Sequence, residues 1–227
     1  MEIQFENLEN AVLTIDCIYK GGPNKDALPV LFPHCGFLGG FRKKCRNDDK
    51  KKLAYVILFT SLSKPEWPDY FDKKNGILKY YGDNEDPDKN ITDTKPGGNK
   101  LLIKVFSMLN LEEMVKDIPP FFVFKKSGNG RDVQFLGLAA PGNPKIPPFD
   151  DIRVVKHEKN GKAFLNYEAY FTILDTRGDS ISRKWLEMLI ENHKNSLKFA
   201  PKAWKDFIKK GRNGIKALEA SKIISIK

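Results

Sequence analysis

Apolar positions along this 227-residue chain change period several times, and each change marks an element. Residues 11–19 (AVLTIDCIY) and 53–60 (LAYVILFT) are rich in β-branched and aromatic side chains, which predicts two strands, the second apolar enough to lie centrally in a sheet. Residues 76–81 (GILKYY) predict another strand. FFVFKK at 121–126 and RDVQFLGLA at 131–139, joined by an SGNG turn, predict a β-hairpin. IRVVKH at 152–157 and AFLNYEAYFTIL at 163–174 flank EKNGK, and the latter strand is long enough to wrap around a barrel.

Helical period appears where Leu101, Leu102, Val105, Phe106 and Leu109 recur, predicting an amphipathic helix over 99–109 after the Gly97-Gly98-Asn99 start. From Ser182 the pattern is helical again. Trp185, Met188 and Leu189 share one side of SRKWLEMLIENHK, and PKAWKDFIKKG has Pro201 near its start and Gly211 at its end. Trp185 and Trp204 have apolar neighbours and read as core. A long polar loop separates the first two strands, and Gly, Asp, Asn and Pro in GDNEDPDKNITDTKPGGN suppress regular structure after the third. The expected fold class is α+β: a twisted β-barrel or sheet flanked by helices over 1–178, with a C-terminal helical extension over 179–227 packing on it. The tail GIKALEASKIISIK reads as a last helix or the start of a linker.

Composition adds a partner. With 41% hydrophobic and 30% charged residues the chain is an ordinary globular protein, yet 39 Lys+Arg against 29 Asp+Glu leave a net charge of +10. Such an excess favours polyanions, because each neutralised phosphate releases condensed counterions. Cys17, Cys35 and Cys45 are odd in number with no CxxC pair, which excludes a disulfide framework, and His34-Cys35 with Cys45 lacks a fourth zinc ligand. The acidic N-terminus lacks the basic region of a signal peptide, and no apolar run matches a membrane span. The expectation is a cytoplasmic protein with no membrane partner.

The basic residues Arg42, Lys43, Lys44, Arg46, Lys95, Lys100, Lys125, Lys126 and Arg131 sit in or beside Gly-rich loops, where cations and free N–H groups suit phosphate oxygens. A solvated charged face is the alternative, with Arg42 and Arg131 paired to Asp48 or Asp132. Candidate chemistry concentrates in WPDYFDKKNGILKYYGDN, residues 67–84. Trp67 and Tyr80 are a ring pair able to sandwich a planar group, and Asp69 can accept from an exocyclic amine, as a pocket for an extruded base requires. Tyr81-Gly82 can close the pocket floor through backbone contacts. Stacking would contribute about 1–3 kcal/mol per base. In the alternative reading the aromatics are core and Asp69 and Asp72 cap turns. Asp69, Asp72 and Asp83 are the nearest approach to a carboxylate cluster, too little for a hydrolytic centre, so no catalytic residue, metal or cofactor is expected.

These motifs resemble a known family. The aromatic, the two Asp, the turn and a strand ending Tyr-x-Gly are similar to the pocket segment of SRA domains, which flip 5-methylcytosine out of duplex DNA. More closely, the chain from about 14 to 214 resembles the N-terminal recognition domain of the AspBHI-type modification-dependent restriction endonucleases, relatives of the MspJI family. IDCIYKGG (15–22), GGFRKK (39–44), EWPDYFDKKNGILKYYGDN (66–84), DTKPGGNKLL (93–102), IPPFFVFKKSGNGRDVQFLGLAAPG (118–142) and NYEAYFTILD (166–175) carry the resemblance. It implies an SRA-like (PUA-like) fold and a non-catalytic module that binds double-stranded DNA carrying a modified cytosine in a prokaryotic cytoplasm. Trp67 and Tyr80 would stack on the flipped base, Asp69 would read its Watson–Crick edge, and Tyr81-Gly82 would supply backbone contacts. SRA pockets carry a Tyr and a Thr where this chain has Trp67 and Tyr81, a difference that bears on methyl against hydroxymethyl tolerance. Asp150, Asp151, Glu158 and Lys159 lack the spacing of a nuclease motif, so a fused or associated nuclease domain is expected downstream. Alternatives are a reader of another modified base, an RNA reader, or a stand-alone nuclease.

Overall fold

A computed structural model describes residues 1–32, 35, 39–65, 67–128 and 130–220. In chain order its strands are β1 (Glu2–Ile3), β2 (Ile18–Tyr19), β3 (Phe41–Cys45), β4 (Leu53–Thr60), β5 (Tyr70–Asp72), β6 (Ile77–Tyr81), β7 (Phe121–Ser127), β8 (Asp132–Pro141), β9 (Ile152–Lys159) and β10 (Lys162–Ile173). The α-helices are α1 (Leu28–Leu31), α2 (Gly98–Leu109), α3 (Arg183–Ile190) and α4 (Lys202–Lys210), with short 3-10 turns between elements. The chain divides into two compact units, each assembled from three segments: Met1–Thr60, Pro119–Ala139 and Thr176–Lys205 in the first, Ser61–Ile118, Ala140–Asp175 and Asp206–Lys227 in the second.

The first unit is built on β4. Its run Ala54–Leu58 is at most 2% exposed, because both faces are covered, and a strand buried on both faces reads as a continuous apolar stretch rather than an alternation. β4 pairs antiparallel with β3 and parallel with β7, and β7 turns back as the predicted hairpin into β8. One ring cluster fills the core beside it. Phe32 lies 5.5 Å from Tyr55 and 5.3 Å from Phe122, Phe122 lies 5.9 Å from Trp185, and Trp185 lies 6.5 Å from Trp204. The predicted helices α3 and α4 thus supply core tryptophans, and Ser182 caps α3 by accepting from the Trp185 N–H.

Two expectations fail in this unit. Residues 11–17 do not form a strand: Asp16 is left-handed at φ 62°, and the Tyr19 hydroxyl closes a loop by accepting from the Thr14 N–H and donating to the Val12 carbonyl. Ile18–Tyr19 form the short strand β2 against β1 and β8, while before them Leu13 makes an isolated bridge to Ile181 and Asp16 and Cys17 exchange backbone bonds with Phe135. The long polar loop is likewise interrupted, since Phe41–Cys45 form β3 against β4; the hydrogen-bonding edge of the buried strand β4 recruits a basic segment that propensity alone leaves unstructured. His34 of the rejected metal cluster, Asn129 of the SGNG turn and residues 221–227 of the tail lie outside the described residues.

The second unit is an antiparallel sheet in the order β5-β6-β10-β9. It is an open twisted sheet, not a closed barrel: the twelve-residue β10 pairs β9 over Lys162–Ala169 and β6 over Glu168–Thr172, and β5 ends the sheet as its terminal strand. Helix α2 covers one face, with Phe106 edge-on to Phe171 at 5.4 Å. An ion pair joins distant segments of this unit. Arg212 binds the Asp151 carboxylate and the carbonyls of Asn143 and Ile146, while Asp151 also accepts from the Asn143 N–H at 2.7 Å. Burial raises the Asp151 carboxyl to about 6, against the opposing pull of the Asn143 N–H and Arg212.

Candidate functional site

The Trp67–Asn84 segment is held by its own polar groups. Asp69 Oδ1 accepts from the Tyr81 N–H at 2.9 Å, so the carboxylate stands where a strand carbonyl would continue the ladder beyond β5. The Asp69 N–H donates to the Trp67 carbonyl at 2.7 Å, and Trp67 Nε1–H donates to the Asn84 carbonyl at 3.3 Å. Asn84 is 2% exposed and donates in turn to the Leu165 carbonyl of β10. The indole is partly exposed, with Lys64 Nζ 5.3 Å from its ring centre. Trp67, Asp69 and Tyr81 are thereby brought together.

Tyr80 is not. Side chains alternate along a strand, so Tyr80 and Tyr81 leave β6 on opposite faces. Tyr80 stands opposite Ala169 in register, on the face where Phe171 meets α2, and is 2% exposed. The pairing of Trp67 with Tyr80 around a base is corrected on this ground: Tyr80 belongs to the core face.

Gly82 needs the same revision. Its N–H donates to the Tyr167 carbonyl at 2.8 Å and its carbonyl accepts from Asn166 Nδ2 at 2.9 Å, so both backbone groups serve the fold instead of a ligand. A Cβ here would lie 1.6 Å from Asn99 Oδ1 and 2.4 Å from Asn166 Oδ1. Glycine is required by close approach, not by φ.

On the Tyr81 face lies a group that pattern reading missed. The Tyr81 hydroxyl donates to Glu168 Oε2 at 2.6 Å, and Glu168 Oε1 accepts from Arg153 Nε at 2.8 Å, Arg153 Nη2 at 2.7 Å and the Tyr170 hydroxyl at 3.1 Å. Lys79 Nζ approaches to 3.7 Å. Burial alone would raise the Glu168 carboxyl, but the bonds from Tyr81 and Arg153 and the Lys79 charge bring it below the usual range. Burial and the Glu168 carboxylate together push the Tyr81 phenol up, keeping it a neutral donor. His157 meets the Tyr81 ring edge-on at 5.1 Å, stacks on Phe164 at 5.6 Å, and burial lowers its pKa. The signal was present as period-2 placement of Glu168 and Tyr170 in β10 and Arg153 and His157 in β9, but only the strand register shows that they converge.

The cations fall into separate settings. Arg42 is 8% exposed, its guanidinium 4.9 Å from the Phe59 ring centre and its Nε–H donating to the Gly39 carbonyl, so it is turned inward rather than offered to phosphate. The acids expected beside it have other partners: Asp48 is held by Asn192, and Asp132 by Lys20 at 2.6 Å. Arg131 lies 3.5 Å from Asp26 and donates to the Asn24 carbonyl. Lys43, Lys44 and Arg46 are half-buried on or just beyond β3; Lys125 is half-buried and Lys126 exposed at the end of β7. Lys95 and Lys100 are exposed in the second unit, Lys100 lying 3.9 Å from Asp93.

Comparison with known proteins gives this arrangement its context. The family model described as "Restriction endonuclease AspBHI N-terminal" matches residues 13–219. The chain belongs to that family. Among solved structures it is similar to the DNA modification-dependent restriction endonuclease AspBHI, with 32% identity and a TM-score of 0.86 over 97% of this chain and 100% of that one. It is also similar to the DNA recognition domain of the cytosine modification-dependent restriction endonuclease LpnPI, with 33% identity and a TM-score of 0.82 over 93% of each chain. MspJI restriction endonuclease in complex with a 27-mer oligonucleotide shares the fold at 19% identity and TM-score 0.64, this chain covering 47% of its length. No curated protein matches the chain. The family model is of an N-terminal domain and the LpnPI match is a DNA recognition domain, in keeping with a non-catalytic module. Among the described residues no helix is long and apolar enough to cross a membrane.

Proposed function

We propose that this chain is the DNA recognition module of a modification-dependent restriction endonuclease, and that it reads 5-methylcytosine or 5-hydroxymethylcytosine in duplex DNA by flipping the base against Trp67 and Asp69. The observation that carries this reading is the Asp69 carboxylate fixed on the Tyr81 N–H beside the partly exposed indole of Trp67. An ionised carboxylate has about four acceptor sites, so holding the Tyr81 N–H is compatible with accepting from the N4 amine of cytosine. Thymine presents an acceptor at that edge and would leave Asp69 facing it unpaired. A base stacked on Trp67 would take the place that Lys64 holds over the ring. Tyr81, braced by Glu168, forms the adjoining wall, and Tyr80 and Gly82 support it from within the fold.

In this reading Lys43, Lys44, Arg46, Lys125, Lys126, Lys95 and Lys100 supply phosphate contacts. Residues 179–227 are the helical extension that leads from the recognition domain of 1–178 to a nuclease domain, fused or associated, in a prokaryotic cytoplasm. The test is a binding titration with one short duplex carrying cytosine, 5-methylcytosine or 5-hydroxymethylcytosine at a single site. A modified duplex should bind at least about tenfold tighter, equivalent to about 1.4 kcal/mol. Trp67→Ala and Asp69→Ala should each erase that gap while retaining affinity for the unmodified duplex. Equal binding of all three duplexes by the unaltered protein refutes the flipped-base reading.

A further inference from the structure

The C-terminal helices carry a charged surface that the pocket and its flanking loops do not use. In the first unit the two stretches 46–52 and 183–205 together hold ten Lys and Arg against four Asp and Glu. They are physically joined. The Asn47 N–H donates to the Ile190 carbonyl at 2.7 Å, and Asn192 Nδ2 donates to Asp48 Oδ2 at 2.8 Å, so the turn after β3 abuts the end of α3. Lys194 follows directly. Beyond it, Lys184 of α3 sits 4.6 Å over the ring of Phe199, and Lys205 of α4 donates to the Lys198 carbonyl at 3.1 Å. Phe199 and the Lys198 carbonyl thereby gather Lys184, Lys198 and Lys205, with Lys194 four positions before Lys198 in the chain, and all four lysines are exposed.

The acids nearby are already engaged in part: Glu187 lies 3.4 Å from Arg183, Asp48 accepts from Asn192, and Asp49 accepts from the Lys51 N–H. Leu197 and Phe199 stay 44% and 38% exposed between the lysines. Cations at this density, interleaved with apolar side chains, match an anionic backbone whose phosphates alternate with apolar sugar faces.

We propose that this surface of α3, the following 3-10 turn and the start of α4 is a second phosphate-contact surface for duplex DNA, continuous with the basic turn after β3. It rests on the DNA-recognition reading above and extends it, because backbone contacts hold a duplex without reading its bases. The surface acts on modified and unmodified duplex alike.

The test uses the full chain with Lys184→Gln, Lys194→Gln, Lys198→Gln and Lys205→Gln combined, titrated over a series of salt concentrations against the cytosine and the 5-methylcytosine duplex. Each lost phosphate contact lowers the slope of log affinity against log salt by about 0.9, so the combined variant should lose about 3 to 4 from that slope on both duplexes. The ratio of the two affinities should stay that of the unaltered protein. An unchanged slope, with far-ultraviolet circular dichroism intact, overturns the proposal and leaves this face to an acidic protein partner. A flattened slope in a protein that never distinguishes the two duplexes upholds the surface while the base-reading proposal fails. Discrimination that Asp69→Ala abolishes, alongside a slope that the lysine variant leaves alone, overturns the surface and upholds the base reading.

Discussion

Glu168 shows how one buried side chain organises its neighbours. It is 3% exposed, and it ties Tyr81, Arg153 and Tyr170 to a single carboxylate. Its folded pKa lies below the ordinary 4.5, so below that pH the unfolded chain binds more protons than the folded one. Its stabilisation is therefore complete above about pH 4.5 and is lost as the pH falls through the lowered value. Glu168→Gln should cost about 2 kcal/mol near neutrality, the scale of hydrogen bonds to a charged group. Urea melts at pH 7 and pH 3 should show the gap between unaltered and variant protein narrowing in acid. At this scale the sequence pointed to the segment of Trp67, Asp69 and Tyr81, which backbone hydrogen bonds link, because a Trp-x-Asp turn before a short strand is a local feature. It placed Tyr80 with them and left Glu168 out, because the face a residue takes and its partner 87 positions away are not local quantities.

Helix α2 makes the same point for an element. Its apolar period located it to within one residue of its start, yet Gly97 is left-handed at φ 66° and has no side chain to cap it. The cap comes from Asp83, which accepts from the Gly98 N–H at 2.6 Å, the Asn99 N–H at 2.9 Å and the Thr94 hydroxyl at 2.7 Å. Asn99 Oδ1 returns a bond by accepting from the Asp83 N–H at 3.1 Å. This reciprocal pair sits one residue beyond Gly82, so the helix start and the end of β6 are one structure. Asp83→Ala should cost about 1–2 kcal/mol, as loss of a helix cap does. Amide hydrogen exchange should accelerate first at Gly98 and Asn99. The strands tell the converse story: β4, β7, β8 and β10 were legible because their apolar runs are long, and β9 because a short turn ties it to β10, whereas β3 forms only because β4 offers it an edge.

Across the whole molecule, long-range closure decides stability. Arg212 reaches back 61 residues to Asp151, and breaking such a buried pair by removing one partner costs about 3–5 kcal/mol. Arg212→Ala should lower the melting temperature markedly at pH 7. Asp151 stands at about 6 with its partner present, and losing that cation raises it further. A raised folded pKa means that the folded state holds more protons than the unfolded, so stability falls as the pH rises through it. The variant should accordingly recover part of its loss between pH 7 and pH 5, a recovery that melts at the two pH values would register. Local pattern was enough for the α+β class, the hairpins, helices α2, α3 and α4 and the polyanion-favouring charge, because periodicity, turn chemistry and net charge are summed over neighbouring residues. Tertiary packing was needed to leave the sheet open, to turn Arg42 and Tyr80 inward, to pin Gly82 between Asn99 and Asn166, and to bring lysines from α3 and α4 onto one surface. Each of those depends on which distant strand or helix occupies the adjoining space, and no local pattern encodes that.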